Sequence, residues 1–161
     1  MEGLFDLTGR KACVTGASSG IGRALAGALA RAGARVIGVA RRGPALSAWQ
    51  DELRAKGVEV EVFTGDVGNP ERAERLGRAI AGSFGNPDIL VNAAGVNPRK
   101  SADEVTLEDW QSTLDLNLSS PFFLARAFVP AMRRKGWGRV INIASLQSVR
   151  AFPSGIAYGA S

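Results

Sequence analysis

Short β-branched runs alternate with Ala-, Leu- and Arg-rich stretches along the whole chain, and this alternation leaves few folds open. Runs at 12–15, 35–40, 58–63, 88–91 and 139–144 read as strands. Between them, 20–32, 44–56, 70–84 and a long stretch from about 107 to 135 carry the three- and four-residue apolar spacing of helices. In the first helix Ile21, Leu25, Ala28, Leu29 and Ala32 are expected on the core face, Arg23 and Arg31 toward water, and Gly33 at the end. Strands separated by helices build βαβ units around a parallel sheet. With right-handed crossovers and helices on both faces, the strand order is 3-2-1-4-5. The predicted fold is α/β, a Rossmann-type doubly wound parallel sheet. Its ligand site belongs at the carboxyl ends of the strands, where the order reverses beside strand one.

At 161 residues the chain makes one domain, 1–161, large enough to bury a core. The absence of histidine removes Ser-His-Asp hydrolysis and the usual zinc ligands, and the single cysteine, Cys13, has no internal disulfide partner. No metal site is expected. The most apolar stretch, 116–132, carries Arg126, Pro121 and Pro130, so it reads as a buried helix and not a membrane span. The opening Met1-Glu2-Gly3-Leu4-Phe5-Asp6 is acidic where a secretory signal is basic, so a cytoplasmic location is expected. Twenty basic residues against 15 acidic ones give +5, but they are spread along the chain without an aromatic-interleaved stripe. Nucleic acid is therefore not an expected partner; binding of that kind would show a steep salt dependence.

Strand one runs into Thr15-Gly16-Ala17-Ser18-Ser19-Gly20-Ile21-Gly22 and then directly into a helix. Glycines permit the tight turn and let a pyrophosphate approach the backbone, while the helix N-terminus offers free N–H groups. The spacing is G-x-x-x-G-x-G, and its strand-loop-helix setting favours dinucleotide binding over a purely structural turn. Strand two ends in Val39-Ala40-Arg41-Arg42. A carboxylate there would bind the adenosine ribose 2′-hydroxyl of NAD; Ala40 withholds it, and Arg41 and Arg42 offer planar forks to a 2′-phosphate. The sequence thus favours NADP over NAD. The other reading of the two arginines is a solvated basic turn before Pro44.

Further along stand Asn92-Ala93-Ala94-Gly95, Asn117 within Leu114-Asp115-Leu116-Asn117-Leu118, Ile141-Asn142-Ile143-Ala144-Ser145, and Tyr158-Gly159-Ala160-Ser161. Together with the glycine loop, and with a thirteen-residue step from Ser145 to Tyr158, the chain resembles the short-chain dehydrogenases/reductases over essentially its whole length. The resemblance implies a cofactor loop of Thr15, Gly16, Ser18, Ser19, Gly20, Ile21 and Gly22, with Asp66 and Val67 beside the adenine. It implies that Asn92, Ala93, Ala94 and Gly95 steady the sheet and border the cofactor. Ala93 departs from the second Asn usual there. Asn117, Ser145 and Tyr158 match the catalytic Asn, Ser and Tyr. Taken singly, Ser145 reads as a turn former and Asn117 as a local backbone binder.

Reducing a carbonyl with a nicotinamide leaves charge on oxygen, so a site needs a proton donor and a second donor to polarise that oxygen. The resemblance gives these roles to Tyr158 and Ser145. Phenols ionise near 10, so such an acid/base needs positive charge beside it. The family supplies part of that charge from a lysine four residues beyond the tyrosine. The chain stops at Ser161, three residues beyond Tyr158, one short of that lysine. The expectation is therefore an amino-terminal part of a longer protein, lacking later strands and an assembly surface that makes a homodimer or homotetramer. A polypeptide of these residues alone is expected to be silent, with an exposed edge at 140–143 and uncovered helix surface along Phe122, Phe123, Ala127 and Phe128.

The expected function is oxidation or reduction of a small-molecule alcohol/carbonyl pair. The stretches 143–148 and 95–100 look most similar to members acting on sugars, polyols or sugar acids, with 3-oxoacyl reductases second. Arg99, Lys100 or Arg150 can meet a substrate carboxylate, or can simply be solvated. The alternative is a dinucleotide-binding module without turnover.

Overall fold

The computed structural model describes residues 5–161, so that Met1 to Leu4 of the acidic opening lie outside it. Five parallel strands, β1 (Lys11–Thr15), β2 (Arg35–Ala40), β3 (Glu61–Thr64), β4 (Ile89–Asn92) and β5 (Arg139–Asn142), form one sheet in the order β3-β2-β1-β4-β5. The register places Cys13 between Ile37 and Leu90, so β1 is flanked on both sides. Such a strand is apolar on both faces. Ala12 and Val14 enter one core with Ala26, Leu46, Trp49 and Leu53; Cys13 enters the other with Ile80, Leu124 and Phe128. Helices α1 (Gly20–Arg31) and α2 (Gly43–Arg54) cover the first face, and α3 (Pro70–Ser83) and α5 (Ser120–Lys135) the second. No helix among the described residues is long and apolar enough to cross a membrane.

Several sequence expectations need correcting. The third strand starts at Glu61 rather than 58, because the Val58 N–H still bonds the Leu53 carbonyl at the end of α2 and pairing with β2 begins only at Ile37–Glu61. In α1 Gly22, Ala26 and Gly27 are buried and Leu25 and Leu29 pack on the core as expected, while Ile21 is 63% exposed and Ala28 also faces water. A Cβ on Gly22 would lie 2.9 Å from the Thr15 carbonyl oxygen at the end of β1, so a larger residue there would push the helix start away from the strand. The stretch 116–132 has two faces: Leu124, Phe128 and Met132 are buried, but Leu118 and Phe122 are exposed. Contrary to the expectation that Ala127 and Phe128 are uncovered, Phe128 is buried, and α5 packs on α3 where Gly77 lets Ala127 approach. At the sheet edge, β5 does carry exposed Val140 and Ile141.

The long helix of the sequence reading is interrupted. After α4 (Leu107–Leu114) comes a π-helical turn, Asp115–Ser119, whose wider winding carries the Ser120 N–H to the Asp115 carbonyl. Pro121 has no N–H to give the Asn117 carbonyl, which is the bond a continued α-helix needs. α4 itself starts at a reciprocal cap, with the Asp109 N–H donating to Thr106 Oγ1 and Asp109 Oδ2 accepting from the Thr106 N–H.

Candidate active site

The glycine loop leaves β1 at the middle of the sheet. Gly16 has φ +71°, and a Cβ there would lie 2.8 Å from the Ala93 carbonyl oxygen. A Cβ on Gly22 would lie 2.5 Å from the Gly16 carbonyl oxygen. The loop therefore folds back on the start of α1 and under residues 93–94 with no room for a side chain at positions 16 and 22. Thr15 is buried beneath it, and its Oγ1 accepts hydrogen bonds from the Ala93 and Ala94 N–H groups at 3.1 and 3.2 Å.

At the N-terminus of α1 no side chain caps the helix and no acidic residue stands in the first turn. Its free N–H groups and positive dipole end thus face open space beside Gly20, where nothing lies within 4 Å of a Cβ. Arg42 donates through Nη2 to Ser18 Oγ at 3.1 Å and Ser19 Oγ at 2.7 Å, joining the end of β2 to the glycine loop. Arg41 is exposed beside it. An uncapped helix start, a turn with glycine at its tightest approaches and a guanidinium among hydroxyls fit the phosphates of a dinucleotide.

Asp66 and Val67 follow β3. Asp66 Oδ1 accepts from the Gly68 N–H at 2.9 Å and Oδ2 meets Arg72 at 3.4 Å, so its carboxylate braces its own turn. Val67 lies in the core and touches a small cavity beside Thr15 and Asn92.

A cleft of about 810 Å³ opens over the carboxyl ends of β4 and β5. Of the residues singled out in the sequence, Ile21, Asn92, Ala93, Ala94, Gly95, Asn117, Ser145 and Tyr158 line it; Thr15, Gly16, Ser18, Ser19, Gly20, Gly22, Arg41, Arg42, Asp66 and Val67 stand outside its lining. Ser145 Oγ accepts from the Gln147 N–H at 3.2 Å and starts a short 3₁₀ turn. Tyr158 sits half-buried on a four-residue helix, α6 (Ile156–Gly159). Asn117 is carried in by the π turn: its Nδ2 donates to the Val96 carbonyl and its Oδ1 accepts from the Val96 N–H, at 2.9 and 3.0 Å. The same Nδ2 donates to Ser161 Oγ, which in turn donates to the Tyr158 carbonyl. Asn117 is thereby tied to the turn that holds Tyr158.

Sequence reasoning missed Asn142 and Gln147. Asn92 Nδ2 donates to Asn142 Oδ1 at 2.9 Å across the ends of β4 and β5, and Gln147 Nε2 donates to the Gly155 carbonyl at the start of α6. A polar residue inside the run Val140-Ile141-Asn142-Ile143 was the available signal for the first.

The short chain dehydrogenase family model matches residues 10–161. The chain belongs to this family. It is 39% identical to D-threitol dehydrogenase of Mycolicibacterium smegmatis over 98% of its own length and 60% of the relative's. Gluconate 5-dehydrogenase of Gluconobacter oxydans is 36% identical, over 98% of the chain and 62% of the relative. L-sorbose reductase from Gluconobacter frateurii, solved with NADPH and L-sorbose, superimposes with a TM-score of 0.90 at 36% identity, over 97% of this chain and 60% of that one. The chain thus spans about 60% of the length of these relatives.

Proposed function

We propose that the full-length protein is an NADP(H)-dependent oxidoreductase that interconverts an alcohol and a carbonyl on a sugar, polyol or sugar acid. The observation that carries this reading is the convergence of Ser145, Tyr158 and Asn117 on one cleft that the glycine-loop residue Ile21 also borders. When bound, the nicotinamide supplies or takes up the hydride. Ser145 Oγ donates a hydrogen bond to the substrate oxygen and polarises it. The Tyr158 hydroxyl gives that oxygen its proton in reduction and recovers it in oxidation. Asn117 positions the turn carrying Tyr158 through Ser161. The glycine loop and α1 hold the pyrophosphate, Arg41 and Arg42 the 2′-phosphate, Asp66 and Val67 the adenine side, and residues 92–95 the cofactor's inner edge. The relatives named above act on a polyol, a sugar acid and a ketose, which supports the substrate range.

Assembly as a homodimer or homotetramer is supported by the exposed apolar side chains Leu118 and Phe122. A cytoplasmic location is compatible with the free, buried Cys13.

The test is NADPH oxidation by the full-length protein with a panel of ketoses and keto acids. Tyr158→Phe is expected to abolish turnover while NADPH still binds, and Ser145→Ala to lower kcat by about 10²–10³. Near-normal kcat in Tyr158→Phe would show that another group carries the proton. A wild-type protein that binds NADPH and reduces no member of the panel is a binding module instead.

A further inference from the structure

Three cations of the sequence were candidates to meet an anionic substrate, and the structure separates them. Lys100 is engaged: its Nζ bonds Asp109 Oδ2 at 2.6 Å. Arg150 stays outside the cleft lining and lies over the Phe152 ring at 5.8 Å. Arg99 alone lines the cleft, and it is the one charged residue there among the described residues; no Asp or Glu lines it.

The backbone around Arg99 is set by its neighbours. Arg99 has φ +54°, a left-handed conformation uncommon for a side-chain-bearing residue, and its N–H donates to Asn97 Oδ1 at 3.2 Å. The next residue, Lys100, is anchored to Asp109 at the capped start of α4. Among the described residues, the Arg99 guanidinium has no ion-pair or hydrogen-bond partner, although nine other ion pairs occupy cations elsewhere. A planar five-donor fork without an acceptor, on the rim of a cleft without an acidic side chain, matches a carboxylate.

We infer that Arg99 reads a carboxylate on the substrate, and that the preferred substrates are hydroxy acids and keto acids of the sugar series rather than neutral polyols. This rests on the oxidoreductase reading above. Ser145 and Tyr158 take the reacting oxygen, and Arg99, in the lining of the same cleft, takes the charged end. The binding is uniform between ground and transition state, so it appears in KM more than in kcat.

The experiment uses full-length protein, NADPH, and two ketones matched in their carbonyl and three neighbouring hydroxyl-bearing carbons: 5-keto-D-gluconate, which ends in a carboxylate, and L-sorbose, which ends in a hydroxymethyl group. Wild type is expected to favour the acid in kcat/KM. Arg99→Ala is expected to lower the acid-to-neutral ratio of kcat/KM by about tenfold or more, the effect of losing a charge-assisted pair. Arg99→Lys should recover part of the ratio, and Arg150→Ala should leave it in place. Equal kcat/KM for the two ketones in wild type, or a ratio that Arg99→Ala does not move, overturns the inference while the oxidoreductase reading stands. If no ketone in a wider panel is reduced, that reading fails and the inference falls with it.

Discussion

Thr15 and Ala93, 78 positions apart, are joined at the centre of the sheet: the Thr15 hydroxyl oxygen accepts the Ala93 N–H and, beside it, the Ala94 N–H. One side chain thus satisfies two part-buried amides where the loop after β4 leaves the sheet. Thr15→Val keeps the shape and removes the acceptor. It is expected to cost about 1 kcal/mol, the penalty of leaving part-buried donors without their acceptor, read by chemical denaturation. Thr15→Ser should recover most of the loss.

The glycine loop allows a test with opposite signs. Gly22→Ala places a Cβ 2.5 Å from the Gly16 carbonyl oxygen and is expected to destabilise by about 1–3 kcal/mol and to weaken NADPH binding, followed by fluorescence titration. Gly82 lies in α3 with nothing within 4 Å of a Cβ. Gly82→Ala should therefore stabilise by about 0.5–1 kcal/mol and leave NADPH affinity alone.

Arg42 bridges to Ser18 and Ser19 and is proposed, with Arg41, to hold the 2′-phosphate. Arg42→Ala is expected to lower NADPH affinity about tenfold or more, with much less change for NADH. If wild type binds NADH as tightly as NADPH, the NADP assignment is wrong.

The amino-terminal ends of three strands converge on Asp88. Its carboxylate accepts from the Lys11 N–H at 3.0 Å and from Lys135 Nζ at 2.6 Å. Burial pushes this carboxyl up, but the Lys135 hydrogen bond, the Lys11 amide and the charges of Lys135 and Arg10 outweigh it and hold it below the usual value. A carboxyl depressed in the folded state contributes stability above its unfolded pKa of about 4, and that contribution disappears as pH falls through the lower folded value. Acid titration of unfolding is therefore expected to show a loss below about pH 4. Asp88→Asn should flatten that limb and lower stability at neutral pH. An unchanged acid limb would remove Asp88 from the account.

The sheet was legible because strands flanked on both sides, such as β1 and β4, must be apolar throughout and stand out between helices. The loop was legible because only glycine tolerates the approach at positions 16 and 22. Less legible was the start of α1, where Gly22 makes the close contact while the bulky Ile21 turns to the cleft. The role of Asn142 escaped because an isolated polar residue in a strand says nothing of its neighbour until register pairs it with Asn92. Nothing in the sequence distinguishes Arg99 from Lys100 and Arg150, because the difference lies in Asp109 holding the lysine and in Arg150 standing outside the cleft lining.

The π turn also imposes a length constraint on the chain. Each helical residue advances the winding by about 100°, so the longer hydrogen-bonded loop at Asp115–Ser119 sets α5 out of phase with α4 by about one residue. The two helices follow one another but present faces counted on different clocks: Thr113 is the buried position of one, and Leu124, Phe128 and Met132 line the buried stripe of the other. Deleting a single residue between 115 and 119 would swing Asn117 away from Val96 or turn Leu124 and Phe128 out of the core. This segment therefore cannot absorb the small insertions and deletions that surface loops tolerate. Its length of five residues is as much a part of the site as the asparagine it carries.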